Sequence, residues 1–151
     1  MRTSKLALSV AIALVVAAGA LLALPAKTAW KTVTPSKSQD KVKILVKDKA
    51  ITYYRVNAAS PIEAKLKGKV RLRVYVRCEV PSGAAGPVKY AFTTSIDGKD
   101  PVAHEATAVV SKVAKYDGAG SAVPGDPDSF YVEVPEGEHT VTVSVDKECK
   151  Q

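Results

Sequence analysis

The chain has 151 residues, a formal net charge of +7, two His, two Cys and one Met. That length fits about one domain, and the ligand-bearing residues leave little material for a metal or redox centre. Beyond residue 26 there are 19 Val and four Ile against three Leu and no Met, which excludes an all-helical body, because β-branched side chains suit a pleated sheet better than a helix.

Arg2 and Lys5 open the chain, Leu6 to Leu24 run without a charge, and Pro25, Ala26 and Lys27 follow. A basic start, an apolar stretch and a small residue after a helix breaker predict a signal peptide over 1–26, cut after Ala26. The apolar stretch also suffices to cross a bilayer, so an uncleaved membrane-anchor helix is the alternative. Both place the body outside the cytoplasm, periplasmic or extracellular, and contact with the membrane is expected only through residues 6–24 if the leader stays.

Residues 27–40 are Lys- and Thr-rich, carry Pro35 and show no periodicity, so they read as a tether. A β-sandwich domain is predicted over 41–151. Runs of alternating apolar residues lie at 41–47, 50–57, 62–67, 69–80 and 88–96. Asp97-Gly98 then marks a tight hairpin turn. Residues 102–113 fit a strand or, started by Asp100-Pro101, a helix; their Val content and the preceding turn favour the strand. A Gly- and Pro-bearing loop spans 117–128, and two more strands are expected at 129–134 and 139–146. Turn signals every 8–15 residues predict a single antiparallel β-sandwich of seven or eight strands.

At VPEGEHTVTVSV, residues 134–145, the chain resembles the closing hairpin of bacterial envelope β-sandwich modules of the PEGA-type and immunoglobulin-like classes, a likeness that covers residues 132–145. The resemblance implies an extracytoplasmic sandwich and no catalytic residues.

Chemistry is sparse. His104 and His139 are the only imidazole bases and no Ser sits in a Gly-x-Ser-x-Gly elbow, so a small hydrolase is the least favoured reading. Asp117, Asp126 and Asp128 in the Gly-rich loop match no calcium-binding spacing. Cys78, Cys149, His104 and His139 lack the close-paired spacing of a zinc site. No cofactor is expected. In an oxidising compartment the two cysteines are better read as a disulfide. Cys78 lies on the apolar parity of 69–80, and Cys149 continues the parity of Val141, Val143 and Val145. Closing those 71 residues would stabilise the fold by ~4 kcal/mol in the chain-entropy model.

Charge is the remaining signal. Residues 27–80 carry a net +10 and residues 81–151 a net −5. Lys65, Lys67, Lys69, Arg71, Arg73 and Arg77 share odd parity, and on one strand such residues share a face. They form a candidate anion-binding row, with Lys65 and Lys67 included if the register survives Gly68. The plainer reading is a solvated sheet face opposed by Glu63, Glu79, Glu133 and Asp146 on neighbouring strands. Tyr75, Tyr131 and Trp30 are candidates for a sugar platform, although Trp30 falls in the tether. The expected function is an exported, non-enzymatic envelope module for structure or protein interaction. The alternative is a binder of an anionic envelope polymer or lipid head group. Nucleic acid is not expected, since export removes the chain from it and no reader motif occurs.

Overall fold

The computed structural model of the chain describes residues 10–17, 30–38, 40–57, 59–118, 120 and 122–150, with the backbone alone for 10–17 and 146–150. Twelve strands occur among them: β1 (Val10–Ala17), β2 (Trp30–Thr32), β3 (Lys41–Val46), β4 (Lys49–Val56), β5 (Ile62–Lys67) and β6 (Val70–Pro81), then β7 (Val88–Ile96), β8 (Lys99–Ala108), β9 (Ala114–Tyr116), β10 (Ala122–Pro124), β11 (Asp128–Val134) and β12 (Glu138–Lys150). No helix among the described residues is long and apolar enough to cross a membrane.

The strands form two antiparallel sheets. The larger has the order β10-β6-β1-β4-β3-β9, with β11 also on β6 and β2 on β1, and the smaller has the order β5-β12-β7-β8. Alternation on single strands builds the core between them. Leu72, Val74, Val76, Cys78 and Val80 of β6 are all fully buried, and they meet Val88, Tyr90 and Phe92 of β7 and Val141, Val143 and Val145 of β12. The all-β class and these inward parities match the sequence reading.

A second, smaller core lies on the other face of the larger sheet. Val42 and Ile44 of β3 and Tyr53 of β4 are buried there, with Tyr75, Ala114 and Tyr116 packed against them. β9 pairs with β3, β10 pairs with β6, and an isolated bridge joins Val110 to Gly125. The sheet's far edge and the 109–127 segment thus roof this end of β6.

Four expectations change. Residues 10–17, expected inside a signal or anchor helix, form strand β1; the rest of the leader, including the Ala26 cleavage point, lies outside the described residues. This segment alternates large aliphatic and smaller residues, and β4 and β6 offer it two unpaired edges, which suits a strand as well as an apolar helix. Residues 102–113 are strand only to Ala108, and that strand begins at Lys99, directly after the Asp97-Gly98 turn. Three three-residue strands also appear, β2 within the stretch expected as a tether, β9 between the expected 102–113 strand and the 117–128 loop, and β10 inside that loop, which with β1 raises the number of strands above eight. Lys65 and Lys67 do not extend the β6 row, because β5 belongs to the smaller sheet and β6 to the larger.

Candidate functional site

The outer face of β6 and its neighbours β2 and β11 gathers aromatic and cationic groups. The odd β6 residues Arg71, Arg73 and Tyr75 stand opposite Glu133, Tyr131 and Ser129 of β11. On the other side, Arg71 is opposite Ala17 of β1, and Ala17 is opposite Trp30 of β2. Register therefore brings Trp30, Arg71 and Tyr131 together from three distant stretches of sequence. The Arg71 guanidinium lies 4.2 Å from the Tyr131 ring centroid, and its Nε meets Glu133 Oε1 at 2.8 Å. Trp30 lies 6.4 Å from Tyr131, centroid to centroid, with the planes 45° apart. Arg73 sits between Tyr75, at 4.4 Å, and Tyr131, at 5.6 Å, and its Nη2 donates to Ser129 Oγ at 3.3 Å. The Arg73 Nε is buried without a hydrogen-bond partner.

Trp30 and Tyr131 are 41% and 43% exposed, and the Arg71 side chain is 54% exposed. The strip therefore presents two aromatic rings and a half-open guanidinium to solvent. Stacking on aromatic faces keeps a guanidinium in place without consuming its charge, at roughly 0.5–1 kcal/mol per exposed contact. Such a surface can stack a sugar ring and pair a carboxylate, sulfate or phosphate in one footprint.

The structure divides the predicted row into separate places. Arg71 and Arg73 are in the strip. Lys69 is exposed at the link between the sheets, where its backbone N–H donates to Glu136 Oε2. Lys65 and Lys67 are exposed on the outer face of the smaller sheet, where Lys67 pairs loosely with Glu138 at 3.4 Å. Arg77 is only 3% exposed; its Nε donates to Tyr53 Oη at 3.1 Å and its Nη1 to the Gly125 carbonyl oxygen at 2.7 Å. It belongs to the second core and not to a binding face. Glu79, 6% exposed, pairs there with Arg55 at 2.8 Å. Burial and the nearby Glu79 carboxylate push the Tyr116 hydroxyl far above its ordinary pKa. Of the acids expected to oppose the row, Glu133 pairs with Arg71, whereas Glu63 pairs with Lys37 and Glu79 with Arg55, both outside the row; the side chain of Asp146 lies outside the described residues.

A second concavity, about 420 Å³, opens between edge strands β8 and β11 and is lined by both histidines. His104 stacks on Phe92 and meets Phe130 edge-on, with Nε2 2.9 Å from Thr94 Oγ1; burial lowers its pKa. His139 Nδ1 lies 2.7 Å from Asp97 Oδ2 and Nε2 3.0 Å from the Glu136 carbonyl oxygen; both partners are acceptors, so the imidazolium makes both hydrogen bonds and the neutral ring only one. The Asp97 carboxylate, then the Glu136 carbonyl, raise its pKa, while Asp97 is lowered by the Thr140 N–H and then by His139. Sequence spacing gave no sign that these histidines share a cleft, since the sandwich edge alone joins them.

Cys78 is fully buried, with Sγ 3.7 Å from the Glu79 carbonyl oxygen. The side chain of Cys149 lies outside the described residues. Two register shifts in β12, between Ser144 and Lys147 and between Lys147 and Lys150, interrupt the alternation on which the inward parity of Cys149 rests, because each bulge adds a residue to one strand. Comparison with family models, curated proteins and solved structures finds no match.

Proposed function

We propose that the chain is an exported, non-enzymatic envelope module that engages an anionic envelope polymer through the strip on the larger sheet. The observation that supports this reading is the arrangement of Trp30, Tyr131, Arg71, Arg73 and Tyr75 on one face, with Trp30, Tyr131 and Arg71 exposed and Arg73 and Tyr75 half-buried beside them. The leader composition supports export, and the likeness of residues 132–145 to envelope sandwich modules agrees with it. The footprint combines stacking surface with two guanidinium groups, Arg73 and the Glu133-paired Arg71, the chemistry by which an acidic polysaccharide is bound.

Retention on polygalacturonate or dextran sulfate beads, against neutral dextran, tests the proposal. The exported chain should be retained at low salt and released as salt rises. Arg71→Gln with Tyr131→Ala should lower retention at least several-fold, while Lys65→Gln with Lys67→Gln should leave it almost unchanged. Equal retention of both variants would return the strip to a solvated sheet face.

A further inference from the structure

β1 sits between β4 and β6, and these two strands have no ladder with each other. β1 pairs with β6 along all eight of its residues, Val10 to Ala17, but with β4 only at Val10, Ala11 and Ile12. The same residues belong to the leader expected to be removed after Ala26. Without them, β6 keeps β11 on one edge from Val70 to Val76 but loses its partner on the other from Arg71 to Cys78, and the floor formed by Leu72, Val74, Val76 and Cys78 faces a vacant strand position. An unpaired inner edge of this length is costly, because its N–H and C=O groups need partners and apolar side chains beneath it meet water.

We propose that the slot between β4 and β6 is a strand-acceptor site, filled in the processed protein by an extended segment of a partner polypeptide. This rests on the reading of the chain as exported and processed. The slot specifies its occupant. Positions opposite Leu72, Val74, Val76 and Cys78 lie on the core parity and take large aliphatic residues, as Val16, Leu14, Ile12 and Val10 do in sequence. The intervening positions, held here by Ala11, Ala13, Val15 and Ala17, stand opposite Arg77, Tyr75, Arg73 and Arg71. On that side the Arg55–Glu79 ion pair and the Arg77–Tyr53 hydrogen bond reach from β4 to β6 across the line of β1. The two positions under that roof, opposite Arg77 and Tyr75, are held by Ala11 and Ala13. The slot is also incompletely filled: past Ile12 the β4 edge borders a cavity of about 500 Å³ lined by Tyr53, Tyr54, Tyr75, Arg77 and Pro127, among others. The partner is therefore a strand with aliphatic residues at alternate positions, small residues at the two positions opposite Arg77 and Tyr75, and main-chain pairing to β6 as its source of affinity.

The chain recovered from the envelope of an expressing host is first weighed. If it begins at Lys27, a soluble peptide of residues 10–17 flanked by lysines should bind one-to-one and raise Tm by at least about 5 °C at saturation. A peptide of the same composition with each neighbouring pair exchanged, which reverses the parity, should not. A folded processed chain that takes neither peptide, or that self-associates and refuses the peptide, overturns the proposal. If instead the mass shows residues 1–26 retained, the processing reading fails on its own, and the slot is tested in the full chain. There Leu14→Pro should free the slot, so that this variant binds the added peptide and wild type does not. A Leu14→Pro chain that refuses the peptide overturns the proposal in that case as well.

Discussion

Residue by residue, the two histidines act on stability with opposite sign. The folded-state pKa of His139 is raised by Asp97 and the Glu136 carbonyl, so its contribution is complete below the ordinary pKa of 6.5 and is lost as pH rises through the raised value. Asp97 is lowered, so its share is present above 3.8 and is lost as pH falls through the lowered value. His104 is lowered by burial against Phe92 and Phe130, so stability falls as pH drops below 6.5 and that ring must charge. Thermal melts across this range should show His139→Gln flattening the alkaline limb and His104→Phe flattening the acid limb. Identical profiles for wild type and both variants would contradict these environments. Arg77 and Arg71 make a second contrast. Arg77→Met leaves the Tyr53 hydroxyl and the Gly125 carbonyl without their partner and should cost about 1–3 kcal/mol. Arg71→Gln loses an exposed pair and should change stability by less than about 1 kcal/mol. Denaturant midpoints decide it, and they separate the two arginines that parity alone placed in one row. The Cys78–Cys149 bridge stands as a proposal of the export reading. Native, non-reduced protein should then show no titratable thiol, whereas a titratable pair excludes it.

At the level of elements, legibility followed how much of each strand's pattern is its own. Val88 to Ile96 and Ile62 to Lys67 were read with their limits because each alternates over its whole length and ends at a turn signal. β9 and β10 have three residues each, too few to show a period; their partners on β3 and β6 define them. β1 was obscured by composition, since an apolar run without polar residues carries no alternation of polarity, only of size. The row of basic residues was legible as parity but not as place. Parity fixes the face of one strand and says nothing about which sheet the next strand joins, and Gly68 (φ +85) turns the chain from one sheet to the other. The β3–β4 turn offers a test at this scale. Lys47 and Asp48 both hold positive φ, 47° and 65°, where a side chain is strained and a two-residue hairpin prefers glycine. Asp48→Gly should therefore raise stability by about 0.5–1 kcal/mol, read as a higher denaturant midpoint. No gain would mean that the turn is not held in that conformation. Gly125 is the converse case, since a Cβ there would meet Ala108 Cβ at 3.0 Å and the Cys78 carbonyl oxygen at 3.1 Å. Gly125→Ala should cost about 1–3 kcal/mol.

For the molecule as a whole, the polarised charge and the leader suggested export and an anionic partner, and the fold gathers two of six basic candidates beside aromatic rings that the sequence left scattered. Trp30 is the chain's single tryptophan, and its ring lies beside Tyr131 within the strip. β2 is laddered to β1, so wherever the β1 position is filled the emission of Trp30 is a direct report on that face. Polygalacturonate added to the exported chain should shift or quench Trp30 fluorescence to saturation. The apparent affinity should fall steadily as salt is raised, because neutralised charges release counterions. Arg71→Gln with Arg73→Gln should weaken binding and flatten the salt dependence while leaving the unfolding transition cooperative. Emission that ignores the polymer at low salt, or a response equal in wild type and the double variant, would contradict the assignment of this strip as the binding face.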